Sequence, residues 1–152
     1  MSLSLDDVLE RLNALPEAER KEIEDLAEKQ VGYMKWVPNP GPQTEAYICE
    51  ADQLLYGGEA GGGKTDLLLG LASQEHLRSL LLRRINKDVS WLIDRLAQIL
   101  ETRDGFNGQD DRWTLPDGRV IDFSGCQHPG DEQRNKGRPK DLIGFDEASD
   151  FL

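Results

Sequence analysis

The chain has 152 residues and a mass of 17.1 kDa, which predicts one domain with a small appendage and enough buried surface for a genuine core. With 38% hydrophobic and 31% charged residues and a mean hydropathy of −0.59, the composition excludes a disordered chain, and no 18-residue apolar run exists to span a membrane. The net charge of −11 speaks against a free-standing, nonspecific DNA-binding module, which needs a basic balance.

The elements follow in order. Leu5, Val8, Leu9, Leu12 and Leu15 recur at helical steps behind Ser4, whose neighbours Asp6 and Asp7 suit a helix start. Pro16 breaks the pattern, and residues 17–30 predict a second helix carrying Ile23 and Leu26, with Val31 beyond it. The expected object is an acidic helical hairpin over residues 1–35, read first as a prefix packed on the main domain and alternatively as a docking arm. Residues 36–43, WVPNPGPQ, carry three prolines and read as an extended linker. Residues 53–56 predict a buried strand, 57–63 a glycine-dense turn, and 65–76 a helix. Residues 79–84 (SLLLRR) predict a second strand, and 88–101 an amphipathic helix with Trp91, Leu92, Leu96, Ile99 and Leu100 on one face. Two alternating runs, 112–115 and 119–124, flank Pro116-Asp117-Gly118 as a hairpin. The polar stretch 127–140 spaces Arg134, Lys136, Arg138 and Lys140 by two. An apolar run, 141–145, then delivers Asp146 and Glu147. Alternating strands and helices predict an α/β fold with a parallel sheet over residues 36–152.

The chemistry concentrates in two places. Gly58-Glu59-Ala60-Gly61-Gly62-Gly63-Lys64-Thr65 matches G-x-x-x-x-G-K-[ST], a loop whose glycines let backbone N–H groups turn inward on phosphates at a helix start. Lys64 is expected to reach the β and γ phosphates, and the Thr65 hydroxyl to ligate Mg²⁺. Asp146, at a strand end, is expected to hold the same Mg²⁺ through water, with Glu147 orienting and deprotonating the attacking water. Cys49 and Cys126 offer neither a disulfide framework nor metal-ligand spacing, and His76 and His128 read as lone surface residues. Reduced thiols, together with the lack of a charged-then-apolar start, lead to a cytoplasmic expectation.

Trp36-x-Pro38-Asn39-Pro40-Gly41-Pro42-Gln43-Thr44-Glu45, LLYGGEAGGGKTDLLLG and GRPKDLIGFDE together resemble the large terminase subunit of tailed phages and prophages, over residues 36–152. That subunit is the ATPase of a DNA-packaging motor. The resemblance implies a P-loop NTPase fold of the catalytic-glutamate, RecA-like type with an inserted β-hairpin. It also implies ATP and Mg²⁺ as ligands. Double-stranded DNA, the terminase small subunit and the portal protein are the implied partners, in a homo-oligomeric ring in the host cytoplasm and without membrane attachment. Gln43 matches the glutamine that reads adenine, with Trp36 or Tyr56 near the base, and Gly58 to Thr65 match the phosphate loop. For the arginine that stabilises γ-phosphate charge from a neighbouring subunit, Arg138 is the first candidate and Arg134 the second, with Arg83 and Arg84 further options. The family continues beyond this point into a nuclease domain, so the expectation here is a C-terminally truncated ATPase part. Another P-loop ATPase of helicase or recombinase type, and an inactive remnant acting as a binding module, are the alternative readings.

Overall fold

The computed structural model describes residues 5–32, 34–59, 61, 63–131, 133 and 137–151, with backbone alone at residues 5 and 28–32. The chain divides into two compact units, Met1–Lys35 and Trp36–Leu152. In the first, helix α1 (Leu5–Ala14) and helix α2 (Glu17–Gly32) are separated at Pro16, whose carbonyl accepts from the Arg20 N–H at 3.0 Å. Ser4 lies outside the described residues. Val8, Leu9, Ile23 and Leu26 are exposed, while Leu12 and Leu15 of the same stripe are half-buried.

In the second unit the organising element is strand β1 (Arg78–Arg83), four of whose residues are buried. Sheet formation requires a partner on each side of such a strand. Strand β4 (Val120–Gly125) and strand β5 (Leu142–Phe145) flank it, both parallel to it. Strand β2 (Phe106–Asn107) and strand β3 (Arg112–Thr114) continue the sheet beyond β4 in antiparallel sense, giving the order β2-β3-β4-β1-β5. The hairpin turn at Pro116-Asp117-Gly118 forms between β3 and β4, closed by the Leu115 N–H on the Arg119 carbonyl at 2.8 Å. The sheet is therefore mixed rather than all parallel, because β4 serves at once as a hairpin arm and as a neighbour of β1.

Helix α3 (Pro42–Tyr47), helix α4 (Lys64–Gln74) and helix α5 (Asn86–Leu100) complete the unit, with a 3-10 turn at Ala148–Phe151. The core forms on one sheet face from Leu69 and Ala72 of α4, Val89, Leu92, Ile93 and Leu96 of α5, and Leu81, Trp113, Ile121 and Phe123 of the strands. Among the described residues no helix is long and apolar enough to cross a membrane.

Two expectations are corrected. Residues 53–56 form no strand: Leu54 and Leu55 are 48% and 87% exposed, since apolar character alone cannot supply the ladder partner a strand needs. The proline-rich linker ends earlier than its composition suggests. Pro42 starts α3, because proline in the first helical turn lacks only an N–H that would be unpaired there anyway.

Two carboxylates fix the register around β1. Asp141 accepts from the Leu77 and Arg78 N–H groups at 2.7 and 2.8 Å. His76 stands 3.9 Å from the same carboxylate and is half-buried, rather than lone on the surface as expected. Asp122 of β4, 8% exposed, binds the Arg112 guanidinium at 2.6 and 3.1 Å and the Lys140 ammonium. Burial pushes the Asp122 carboxyl up, but hydrogen bonds and charge from Arg112 and Lys140 outweigh it and hold the group below its ordinary value. A depressed folded-state value means that the ionised group favours folding above the ordinary carboxylate range near pH 4, and that this contribution fades as pH falls toward the lowered value. Asp122→Asn is expected to cost about 3 kcal/mol at neutral pH, because it leaves Lys140 buried without its counter-ion. It should also flatten the loss of stability below about pH 4; urea midpoints across pH 3–7 check both.

Candidate functional site

Gly63 caps α4 in the left-handed conformation, φ +70°. Its carbonyl starts the helix by accepting from the Leu67 N–H at 2.9 Å and also accepts from Gln43 Nε2 at 2.8 Å. A Cβ at this position would lie 2.3 Å from Gln43 Nε2, so glycine is required by both backbone sign and space. Gly58 and Gly61 also have positive φ; Ala60 and Gly62 lie outside the described residues. The Lys64 ammonium folds back across the loop, donating to the Gly58 and Glu59 carbonyls at 3.0 and 2.9 Å.

The start of α4 is carried to the end of β5 by a close approach. Gly144 has no side chain where Leu68 of α4 rests; a Cβ there would be 2.2 Å from Leu68 Cδ1. Arg95 of α5 grips Asp66 in the first turn of α4 through two hydrogen bonds of 2.8 and 2.7 Å, a bidentate pair with defined orientation. The result joins residues 81 positions apart: Thr65 Oγ1 donates to Asp146 Oδ1 at 2.8 Å. Asp146 is 5% exposed and is set by its own N–H on the Leu82 carbonyl at 2.9 Å.

The same register brings Arg83 to the site. Leu82 pairs with Phe145, so the next residues, Arg83 and Asp146, emerge side by side at the carboxyl end of the parallel strands. Arg83 Nε and an η nitrogen both meet Asp146 Oδ2 at 2.7 Å, and its guanidinium lies 5.1 Å from the centre of the Trp91 ring. Sequence reasoning offered Arg83 only as a minor option. The signal was present: laying LLLRR against IGFDE by their apolar residues puts Arg83 opposite Asp146.

The remaining candidates take distinct positions. Glu147 is exposed, with φ +52°, a left-handed conformation that is strained for a residue with a Cβ. Gln43 is buried on α3, its Oε1 accepting from the Asn39 N–H at 2.6 Å while Nε2 holds Gly63. Trp36 packs in the space left by Gly70 of α4, 5.7 Å from the Tyr47 ring, and Tyr56 is half-buried. Arg138 is exposed and lines a cavity of about 460 Å³ with Asn86, Asp110, Asp111, Ser124 and Lys140, which shares no lining residue with Lys64, Thr65 or Asp146. Arg134 and Lys136 lie outside the described residues. Arg84 donates to the Cys126 carbonyl at 2.7 Å.

The Thr65 hydroxyl and the Asp146 carboxylate are hard oxygen donors, and together they suit a Mg²⁺ ion that fills the rest of its shell with water and phosphate oxygens. Among the described residues no group of three or more His, Cys, Asp or Glu side chains forms a protein cage for a metal. Compared with protein-family models, curated proteins and solved structures, the chain matches none. Removing the strain at the strand exit isolates its purpose: Glu147→Gly should stabilise the fold by about 0.5 kcal/mol, as relief of the left-handed conformation exceeds the added freedom of the unfolded chain. A urea midpoint that falls instead would show that the glutamate side chain contributes more than its backbone costs.

Proposed function

We propose that the second unit is the nucleotide-binding part of an ATPase of the large-terminase type, which drives double-stranded DNA into procapsids. The observation that carries this reading is the Thr65–Asp146 contact of 2.8 Å: a glycine-rich loop and an acidic strand end, separated by 81 residues, meet at a helix N-terminus. A helix start offers unpaired N–H groups and a favourable dipole to an anion. The left-handed glycines turn the chain around the place where that anion sits.

In this P-loop ATPase, Lys64 leaves the Gly58 and Glu59 carbonyls for the β and γ phosphates, exchanging neutral acceptors for charged ones. Thr65 directly and Asp146 through water would hold Mg²⁺, which would neutralise charge on the phosphate oxygens. Glu147, exposed beside the buried Asp146, orients the attacking water and accepts its proton. Gln43 braces the loop through Gly63 and Asn39; reading adenine, the role its resemblance implies, requires this buried amide to give up part of that bonding, since an adenine edge needs one donor and one acceptor. Arg138 stays exposed in one subunit and reaches the nucleotide of the next in a ring, where its planar fork matches phosphate oxygens. DNA, the small subunit and the portal protein are the partners of that ring.

Two measurements test the reading. A fluorescent ATP analogue with Mg²⁺ should bind Lys64→Ala roughly tenfold or more weakly than wild type, because charge-assisted hydrogen bonds to phosphate are lost. Equal affinities would remove the assignment. Glu147→Gln should bind the analogue as wild type does while phosphate release falls about a hundredfold, the scale of a lost general base; undiminished release would reject Glu147 in that role.

A further inference from the structure

Both oxygens of Asp146 are engaged. The Thr65 hydroxyl takes Oδ1, and Arg83 takes Oδ2 twice over, through Nε and an η nitrogen. The Arg83 side chain is only 15% exposed and that of Asp146 4%, so little water is at hand to replace the guanidinium if it leaves. A buried carboxylate stripped of its cation is strongly disfavoured. A divalent ion and a guanidinium placed on the same oxygen repel one another.

We infer that Arg83 occupies Asp146 as a stand-in cation, and that loading of Mg²⁺ with nucleotide exchanges the two on this carboxylate. The inference rests on the nucleotide-site reading above and adds to it a residue that controls metal entry. Trp91 supplies the second part of the device. Its ring lies 5.1 Å from the guanidinium carbon and is 50% exposed, so it gives Arg83 an aromatic face to slide along at the rim of the site. Once displaced, the planar fork that matched a carboxylate matches phosphate oxygens equally well. Arg83 is thus a positioning residue: it holds the Asp146 carboxylate beside Thr65 before loading. It also makes metal-free nucleotide a poor occupant, since without the ion nothing releases it.

Binding of the fluorescent ATP analogue is measured against Mg²⁺ concentration in wild type, Arg83→Gln and Arg83→Lys. Removing the competitor should lower the Mg²⁺ midpoint about tenfold in Arg83→Gln, a shift of about 1.4 kcal/mol, while Arg83→Lys stays nearer wild type because it keeps the charge. A midpoint that is unchanged or raised in Arg83→Gln overturns the exchange. Wild type gives a second readout that needs no Arg83 variant. Tryptophan emission should change when Mg²⁺ and unlabelled ATP are added together, should not change with ATP in EDTA, and should lose the response in Trp91→Phe. A response that survives in Trp91→Phe, or none in wild type, counts against the inference. Lys64→Ala separates the two levels: if it binds nucleotide normally, the site reading fails, whereas weakened binding there with an unshifted Arg83→Gln midpoint overturns the exchange alone.

Discussion

A hydrogen bond of 2.8 Å between the Thr65 hydroxyl and Asp146 ties the first helix turn of α4 to the tip of β5, and most of the second unit serves to hold it. Gly144 admits Leu68, which sets the depth at which α4 lies on the sheet. Arg95 fixes the rotation of the helix start through Asp66. Gln43 restrains the loop from the opposite side by holding the Gly63 carbonyl. None of these contacts is chemically reactive. Each removes a freedom that would separate a hydroxyl and a carboxylate by more than hydrogen-bond reach, and positional error of about 1 Å is enough to disable such a pair.

Strand β5 has only four residues, too few for its ladder alone to define where it begins and ends. Acidic side chains bracket it. Asp141 binds the backbone at the entry of β1, and Asp146 binds Arg83 at the exit. The first carboxylate is spent on register; the second is placed where charge can be recruited. This division follows the general habit of parallel sheets, in which ligands gather beyond the carboxyl ends of the strands. An acidic chain thereby collects cationic groups at one end of its sheet without being basic overall.

Much of this arrangement could be read from the amino-acid order. The helix opened by Lys64, the SLLLRR strand, the 116–118 turn and the LIGF strand announce themselves because each carries its own local signal: periodicity, turn residues or a continuous apolar run. The segment at 53–56 misleads for a complementary reason. Its Leu-Leu-Tyr run has strand character, but a strand is a relation between two segments, and nothing within four residues says whether a neighbour is in place. Gln43 and Arg83 illustrate the same limit at the level of side chains. Their sequence neighbours describe a linker and a strand end, while their actual contacts, Gly63 and Asp146, lie 20 and 63 residues away.

The outer side of β5 has a consequence of its own. Among the described residues no strand pairs with that side, and Ile143 and Phe145 are more than half exposed there. Natural sheets commonly guard such borders with a lysine or another charge that repels incoming chains. Here two of the adjacent charges are committed inward, Lys140 to Asp122 and Asp146 to Arg83, while Asp141 and Glu147 at the two ends of the strand are exposed. A net charge of −11 adds a general repulsion between copies, which salt screens over about 8 Å at physiological ionic strength. The sheet border of β5 is therefore guarded by a diffuse charge whose reach shortens as ionic strength rises, rather than by a single side chain placed on the strand.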